Sequence, residues 1–208
     1  AIFNSNDIFS TGADSTLPFE QHRNIFYLSG VDQEESILLV FPDAKNELQR
    51  EILFVKETND LIAIWEGAKL SKKQATASSG IKTVYWLEEF DSVFSKLMKE
   101  STHFYYNNNE HYRQAVEMET REDRFLKMIK SSYPNHKLLP SFPIMESLRG
   151  VKEVEEITLI KKACDITEKG FRRILGFVKP GVMEYEIEAE YAHEFLRNRS
   201  KGFAYTPI

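Results

Sequence analysis

Three short runs in the first third of the chain are apolar at every residue: Ile37-Leu38-Leu39-Val40-Phe41, Ile52-Leu53-Phe54-Val55 and Leu61-Ile62-Ala63-Ile64-Trp65. A strand with one face in water alternates apolar and polar residues. A run without alternation marks a strand covered on both faces. The pattern predicts strands over 36–41, 51–55 and 61–65, and their close spacing predicts antiparallel neighbours. Strands of this kind need helices above and below them, so the chain is expected to build an α/β domain.

The flanking sequence supplies those layers. Ala1-Ile2-Phe3 reads as a strand already under way, so residues are expected upstream of Ala1. Asn4-Ser5-Asn6-Asp7 is a turn cluster. Pro18 keeps Leu17 extended, and the apolar, aromatic run 24–28 is closed by Ser29-Gly30. Residues 70–79 read as a polar helix broken at Gly80, and 83–86 as a short strand. Phe90, Val93, Phe94, Leu97 and Met98 recur every three or four residues, which predicts a helix over 87–99 with one buried face. A strand over 102–106 runs into Asn107-Asn108-Asn109. The pattern returns to helix over 116–131, with Phe125, Met128 and Ile129 inward. Pro134, Pro140 and Pro143 punctuate a connector, where a domain boundary is expected.

Beyond it, Val154, Ile157, Ile160, Cys164, Phe171, Ile174 and Val178 define a helix of roughly seven turns. Pro180-Gly181 ends it. Ile187, Tyr191 and Phe195 then stripe a second helix, and Gly202-Phe203-Ala204-Tyr205 begins a strand.

Composition narrows the function classes. The 208 residues carry a net charge of -5, which argues against nucleic acid, since phosphate binding needs a basic field. A single cysteine excludes an internal disulfide and fits a reducing, cytoplasmic setting. No apolar run approaches the ~20 residues of a membrane span.

Few residues form a chemical constellation. Glu190-Tyr191-Ala192-His193 has the Glu-x-x-His spacing of a carboxylate-bridged metal site, but such a site needs facing carboxylates. Glu186, Glu190 and Glu194 read instead as a solvated charged stripe. Cys164 lies on an apolar stripe and reads as a small core residue. Trp65 stands at a predicted strand end, where it either packs locally or meets a ligand. No Gly-x-Ser-x-Gly elbow and no phosphate-cradling glycine loop is present.

Pro18-Phe19-Glu20-Gln21, Ile25-Phe26-Tyr27-Leu28-Ser29-Gly30, Glu35-Ser36-Ile37-Leu38-Leu39-Val40 and Ile64-Trp65-Glu66-Gly67-Ala68-Lys69-Leu70 together resemble the amino-terminal signatures of the aminopeptidase P group. That group belongs to the creatinase/prolidase, or pita-bread, metallopeptidases. Leu148-Arg149 through Glu155-Glu156-Ile157, and Lys179-Pro180-Gly181-Val182-Met183-Glu184-Tyr185-Glu186, look like the first helices of its catalytic domain. Tyr205-Thr206-Pro207-Ile208 looks like the strand leading to its active site. Ser29 replaces a usual Thr, Glu20 stands where Arg or Lys is common, and Met183 removes a capping hydroxyl ahead of Glu186.

The resemblance implies a three-layer α/β amino-terminal domain with a mixed sheet over residues 1–145. Residues 146–208 would be the start of a pita-bread α+β catalytic domain. It implies a Xaa-Pro aminopeptidase that uses two divalent metals, commonly manganese, whose ligands belong downstream of Ile208. It therefore implies no catalytic residue and no metal ligand in this stretch. Proline-containing peptides would be the substrates, and the amino-terminal domain would mediate homo-oligomerisation. Two positions carry over as substrate-binding: Trp65, like a tryptophan that reaches a neighbouring subunit's active site, and Tyr205, like a tyrosine at the edge of the metal pocket. For Tyr205 a core aromatic is the alternative. A prolidase and a non-catalytic binding module are the alternatives for the whole.

Overall fold

The computed structural model describes residues 1–12, 15–108 and 118–204, apart from the side chain of Trp65. The chain divides into two compact units, Ala1–Leu148 and Arg149–Ile208.

The first unit is built on one mixed sheet. Its strands are β1 (Ile2–Asn4), β2 (Ile37–Val40), β3 (Glu51–Val55), β4 (Thr83–Trp86), β5 (His103–Tyr106) and β6 (Lys137–Pro140), in the order β4-β3-β2-β1-β5-β6. β2 pairs antiparallel with β1 and β3, while β3–β4, β1–β5 and β5–β6 are parallel. All strands but β2 therefore point one way.

Strand alternation sends successive residues to opposite faces, and each face has its own core. On one, Ile2, Ile37, Leu39, Ile52 and Phe54 meet α4 (Phe90–Met98) and α5 (Arg121–Ser132) through Phe90, Phe94, Leu97 and Ile129. Aromatic rings dominate there: Phe54 meets Phe90 edge-on at 5.1 Å and Phe90 stacks on Phe94 at 5.0 Å. On the other face, Phe3, Leu38, Leu53 and Val55 meet α1 (Arg23–Ser29), α3 (Lys72–Ser79) and α6 (Phe142–Gly150) through Ile25, Ala75 and Met145. The expected three-layer arrangement with a mixed sheet is present.

The sheet has a thin seam. The β1–β5 ladder has the single register pair Ile2 opposite Tyr106, whereas β2 and β3 are paired over four. Glu122, in the first turn of α5, closes the gap. Its carboxylate accepts from the Asn4 backbone N–H at 2.9 Å, from Asn4 Nδ2 at 2.8 Å and from Asn107 Nδ2 at 3.0 Å. Asn4 ends β1 and Asn107 follows β5, so one carboxylate spans both sides. Asn107 Oδ1 in turn accepts from Asn24 Nδ2 at 2.8 Å, which ties in α1. Hydrogen bonds to a charged group contribute roughly 1.5–3 kcal/mol each. Burial nevertheless prevails: it pushes the Glu122 carboxyl up to about 7, against the pull of the Asn107 and Asn4 donors and of Arg121 nearby.

The second unit is a helix pair, α7 (Val154–Phe177) and α8 (Glu184–Arg197). Gly170 is buried against the ring of Tyr191, and a Cβ there would overlap that ring, 2.6 Å from its Cδ2. Tyr191 also packs edge-on to Phe195 at 4.8 Å and stacks on Phe203 at 5.3 Å. The apolar stripe that the period of α7 marks out is only partly covered: Ile157, Ile160, Phe171 and Val178 are all exposed.

Several expectations are corrected. Residues 61–65 are not a strand but most of α2 (Asp60–Glu66). The Asn59 side chain accepts from the N–H groups of Leu61 and Ile62, both at 3.0 Å. That cap starts a helix whose Leu61 and Ile64 are 66% and 75% exposed, so the apolar run is not a core run. Cys164 is exposed rather than in a core, because it lies off the face of α7 that Gly170 presents to α8. Met128, expected inward, is 36% exposed at the rim of α5. The proline-punctuated stretch is ordered secondary structure, since β6 and α6 occupy it. At α8 half of the capping arrangement survives without a hydroxyl, as the Glu186 carboxylate accepts from the Met183 N–H at 2.8 Å. Gly202–Ala204 are not in a strand, and Tyr205 lies outside the described residues. Among the described residues no helix is long and apolar enough to cross a membrane.

Two tests follow from these contacts. Gly170→Ala forces the Tyr191 ring to move and should destabilise the protein by about 1–3 kcal/mol, despite alanine's better helix propensity. Gly176→Ala, with open space at its Cβ, should stabilise it by up to ~1 kcal/mol; thermal unfolding of both variants decides. For Glu122, the folded state holds a proton over the interval from the ordinary 4.5 to about 7 in which the unfolded state has lost it. Stability should therefore fall as pH rises through that window, by on the order of 3 kcal/mol. Glu122→Gln should flatten the fall in urea titrations at pH 5 and pH 8, because no ion is then buried. An unchanged pH slope would show that Glu122 is not the titrating group.

Candidate functional site

The strand directions locate the site. Five strands end on one edge of the sheet and β2 begins there, which brings Asn4–Asp7, Glu35, Lys56, Trp86, Asn107 and Ser141 to that edge. In open α/β sheets ligands bind outside the carboxyl ends of strands, where the strand order reverses. The reversal here falls at β1, with β2 on one side and β5 on the other.

A cleft of about 310 Å³ opens at this point, lined by Asn6, Asp7, Ile8, Glu35, Arg121 and Arg124. Asp7 organises it. Its carboxylate accepts from the Arg121 backbone N–H at 3.0 Å, at the start of α5, and pairs with Arg124 Nη2 at 2.5 Å. Arg121 Nη1 donates to Ser5 Oγ at 3.0 Å. Burial lowers the Arg121 pKa from its usual value, while Asp7, Glu35 and Glu122 oppose the change. The cleft is thus a charged concavity of two guanidinium groups and two carboxylates. It holds no pair of side chains suited to nucleophile and base.

Beside it runs α2, the helix that carries Trp65. Lys56, just after β3, places its ammonium 2.8 Å from Glu35 Oε2 and 2.9 Å from Glu66 Oε2. These hydrogen bonds, Glu35 first and then Glu66, raise the Lys56 pKa above its usual value, and Lys56 lowers that of Glu66. Past the helix, Lys69 pairs with Glu34, and the Leu70 N–H donates to Gln33 Oε1 at 2.7 Å. The receiving loop is held by Gln21, whose Nε2 donates to the carbonyls of Val31 and Gln33 at 3.1 and 2.8 Å.

Of the expected substrate-binding residues, the backbone of Trp65 lies in the last turn of α2 and Tyr205 lies outside the described residues. The Glu-x-x-His spacing on α8 is not a metal site, and its carboxylates are not a solvated stripe. Arg173 of α7 donates to Glu190 Oε2 at 2.5 Å and lies 3.6 Å from Glu194, which is buried. Among the described residues no group of three or more His, Cys, Asp or Glu side chains could hold a metal ion. The donor sets here do not fit a dinuclear centre. Asp7, Lys56, Arg121 and Arg124 carry little local sequence signal, because apart from Glu66 beside Lys56 and the Glu119 carbonyl beside Arg124 the side-chain partners described above stand 20 or more residues away.

Comparison with known proteins agrees with this architecture. Residues 1–106 match the family model described as aminopeptidase P, N-terminal domain, and residues 158–208 match metallopeptidase family M24. A Xaa-Pro aminopeptidase of Haemophilus influenzae is 27% identical over 195 residues, covering 94% of this chain and 43% of that protein. The Escherichia coli Xaa-Pro aminopeptidase is 23% identical, covering 94% and 44%. A solved Bacillus anthracis structure assigned to aminopeptidase P superposes with a TM-score of 0.85 at 27% identity, covering this chain fully and 49% of its own. Proline aminopeptidase P II of Yersinia pestis gives 0.75 at 23% identity, covering 95% and 45%. The chain spans less than half the length of these relatives. With 106 of its 208 residues matched by that one model, the chain belongs to the aminopeptidase P amino-terminal domain family and runs on into the start of a metallopeptidase family M24 domain.

Proposed function

We propose that this chain is the amino-terminal domain, residues 1–145, and the opening of the catalytic domain, residues 146–208, of a Xaa-Pro aminopeptidase. The whole protein would remove the first residue from peptides with proline in second position. The observation that carries this reading is the succession of two family matches in one chain, amino-terminal domain first and metallopeptidase second. M24 chemistry implies a divalent metal, read here as two manganese ions. Bound metal would supply a hydroxide nucleophile at neutral pH. On the family resemblance the metal ligands belong downstream of Ile208, and this stretch would supply shape and positioning.

In that role α2 is the segment that meets substrate. Leu61 and Ile64 stand exposed on it, and Trp65 occupies its last turn. Tyr205 is assigned to the edge of the metal pocket on the family resemblance. Homo-oligomerisation through the amino-terminal domain belongs to the same reading, supported by that exposed apolar helix, as does a cytoplasmic location, supported by the single cysteine.

The test uses the full-length protein loaded with manganese. It should release the first residue from a Xaa-Pro-Xaa tripeptide, and a tripeptide with alanine in place of proline should be a much poorer substrate. Faster cleavage of Xaa-Pro dipeptides would make it a prolidase, and no cleavage of either would leave a binding module. Trp65→Ala should raise KM for the tripeptide by roughly 10- to 30-fold, the range for losing one aromatic anchor. An unchanged KM would remove Trp65 from the substrate site.

A further inference from the structure

The helix α2 is poorly equipped to hold its own position. Seven residues are too few for a helix to be stable by itself. The Asn59 cap contributes about 1 kcal/mol. Of its described apolar side chains, Leu61 and Ile64 are mostly exposed and Ile62 and Ala63 only half-buried. Contacts at the ends of the helix therefore weigh heavily on its position.

Lys56 is placed to do this. Ile37 pairs with Phe54 in the antiparallel ladder, so two residues further along each strand Glu35 and Lys56 stand opposite one another. Val55 and Phe54, just before Lys56, are fully buried. The ammonium therefore rises from a rigid base. It is shared between Glu35 on the sheet side and Glu66, the last residue of α2. Glu35 has φ 51°, in the left-handed region that a side chain such as Glu adopts at a cost of about 1 kcal/mol or more. Its carboxylate is thus held toward Lys56 by the backbone as well. The Lys69–Glu34 pair and the Leu70–Gln33 hydrogen bond hold only the chain beyond the helix.

The geometry points to Lys56 as a positioning residue: by bridging Glu35 and Glu66 it sets where the last turn of α2, and with it Trp65, stands relative to the sheet. This rests on the reading of Trp65 as a substrate contact. Exposed ion pairs contribute roughly 0.2–1 kcal/mol each, which is decisive only for an element as weakly packed as α2.

The test compares Lys56→Met and Lys56→Arg in the full-length, manganese-loaded protein. Hydrogen exchange of the α2 amides should be about 3-fold faster in Lys56→Met, with β3 unchanged, and KM for the tripeptide should rise about 3-fold at constant kcat. Lys56→Arg should restore both. Unchanged exchange in α2 would overturn the proposal whatever the kinetics show. Faster exchange with unchanged KM would also overturn it, and Trp65→Ala then separates the causes. If Trp65→Ala raises KM, the substrate reading stands and only the positioning role of Lys56 fails. If it does not, the substrate reading itself is at fault.

Discussion

A single buried carboxylate holds the two halves of the sheet in register. β4, β3, β2 and β1 form one well-paired ladder, β5 and β6 another, and the backbone joins them through one register pair. Glu122 bridges the join by accepting from both strand ends, Asn4 and Asn107. The part of the carboxyl edge around Asp7 depends on that join. The turn from Ser5 to Asp7 leaves β1 there, α5 begins there, and the Arg121–Asp7–Arg124 cleft exists only because both are held together. The arrangement has an electrostatic cost, since an ion is buried, and three donors aimed at it limit that cost without removing it.

Much of the fold was legible in the sequence because it follows local rules. The unbroken apolar runs at Ile37–Val40 and 52–55 gave central strands. The spacing of Phe90, Phe94 and Leu97 gave a helix with one buried face, and Pro180-Gly181 separated two helices. The run 61–65 misled because an apolar run of that length fits a helix and a strand equally well. The deciding signal was Asn59 and its cap. The buried ends of Glu122 and Glu194 were invisible for a different reason: a carboxylate reads as surface until its partners are known, and Asn4 for Glu122 and Arg173 for Glu194 come from other elements.

The site was legible only as far as family resemblance reached. Resemblance pointed to Trp65 and Tyr205 as expected substrate contacts, but said nothing of the ion pairs around the first. Lys56 and Glu35 are ordinary charged residues by sequence. Only the antiparallel register sets them face to face, and only the course of α2 itself brings Glu66, its last residue, to the same ammonium. Ion pairs of this kind are set by topology, and local sequence pattern does not show them.

The two outer strands carry one more consequence. β6 ends the sheet with Pro140, which has no N–H to offer a further strand. At the opposite border the Lys72 ammonium lies 4.8 Å from the Trp86 ring, putting a charge over the end of β4. Both borders thus discourage a stranger's backbone from adding to the ladder. Neither border of this sheet offers a second backbone a long, bare strand on which to add.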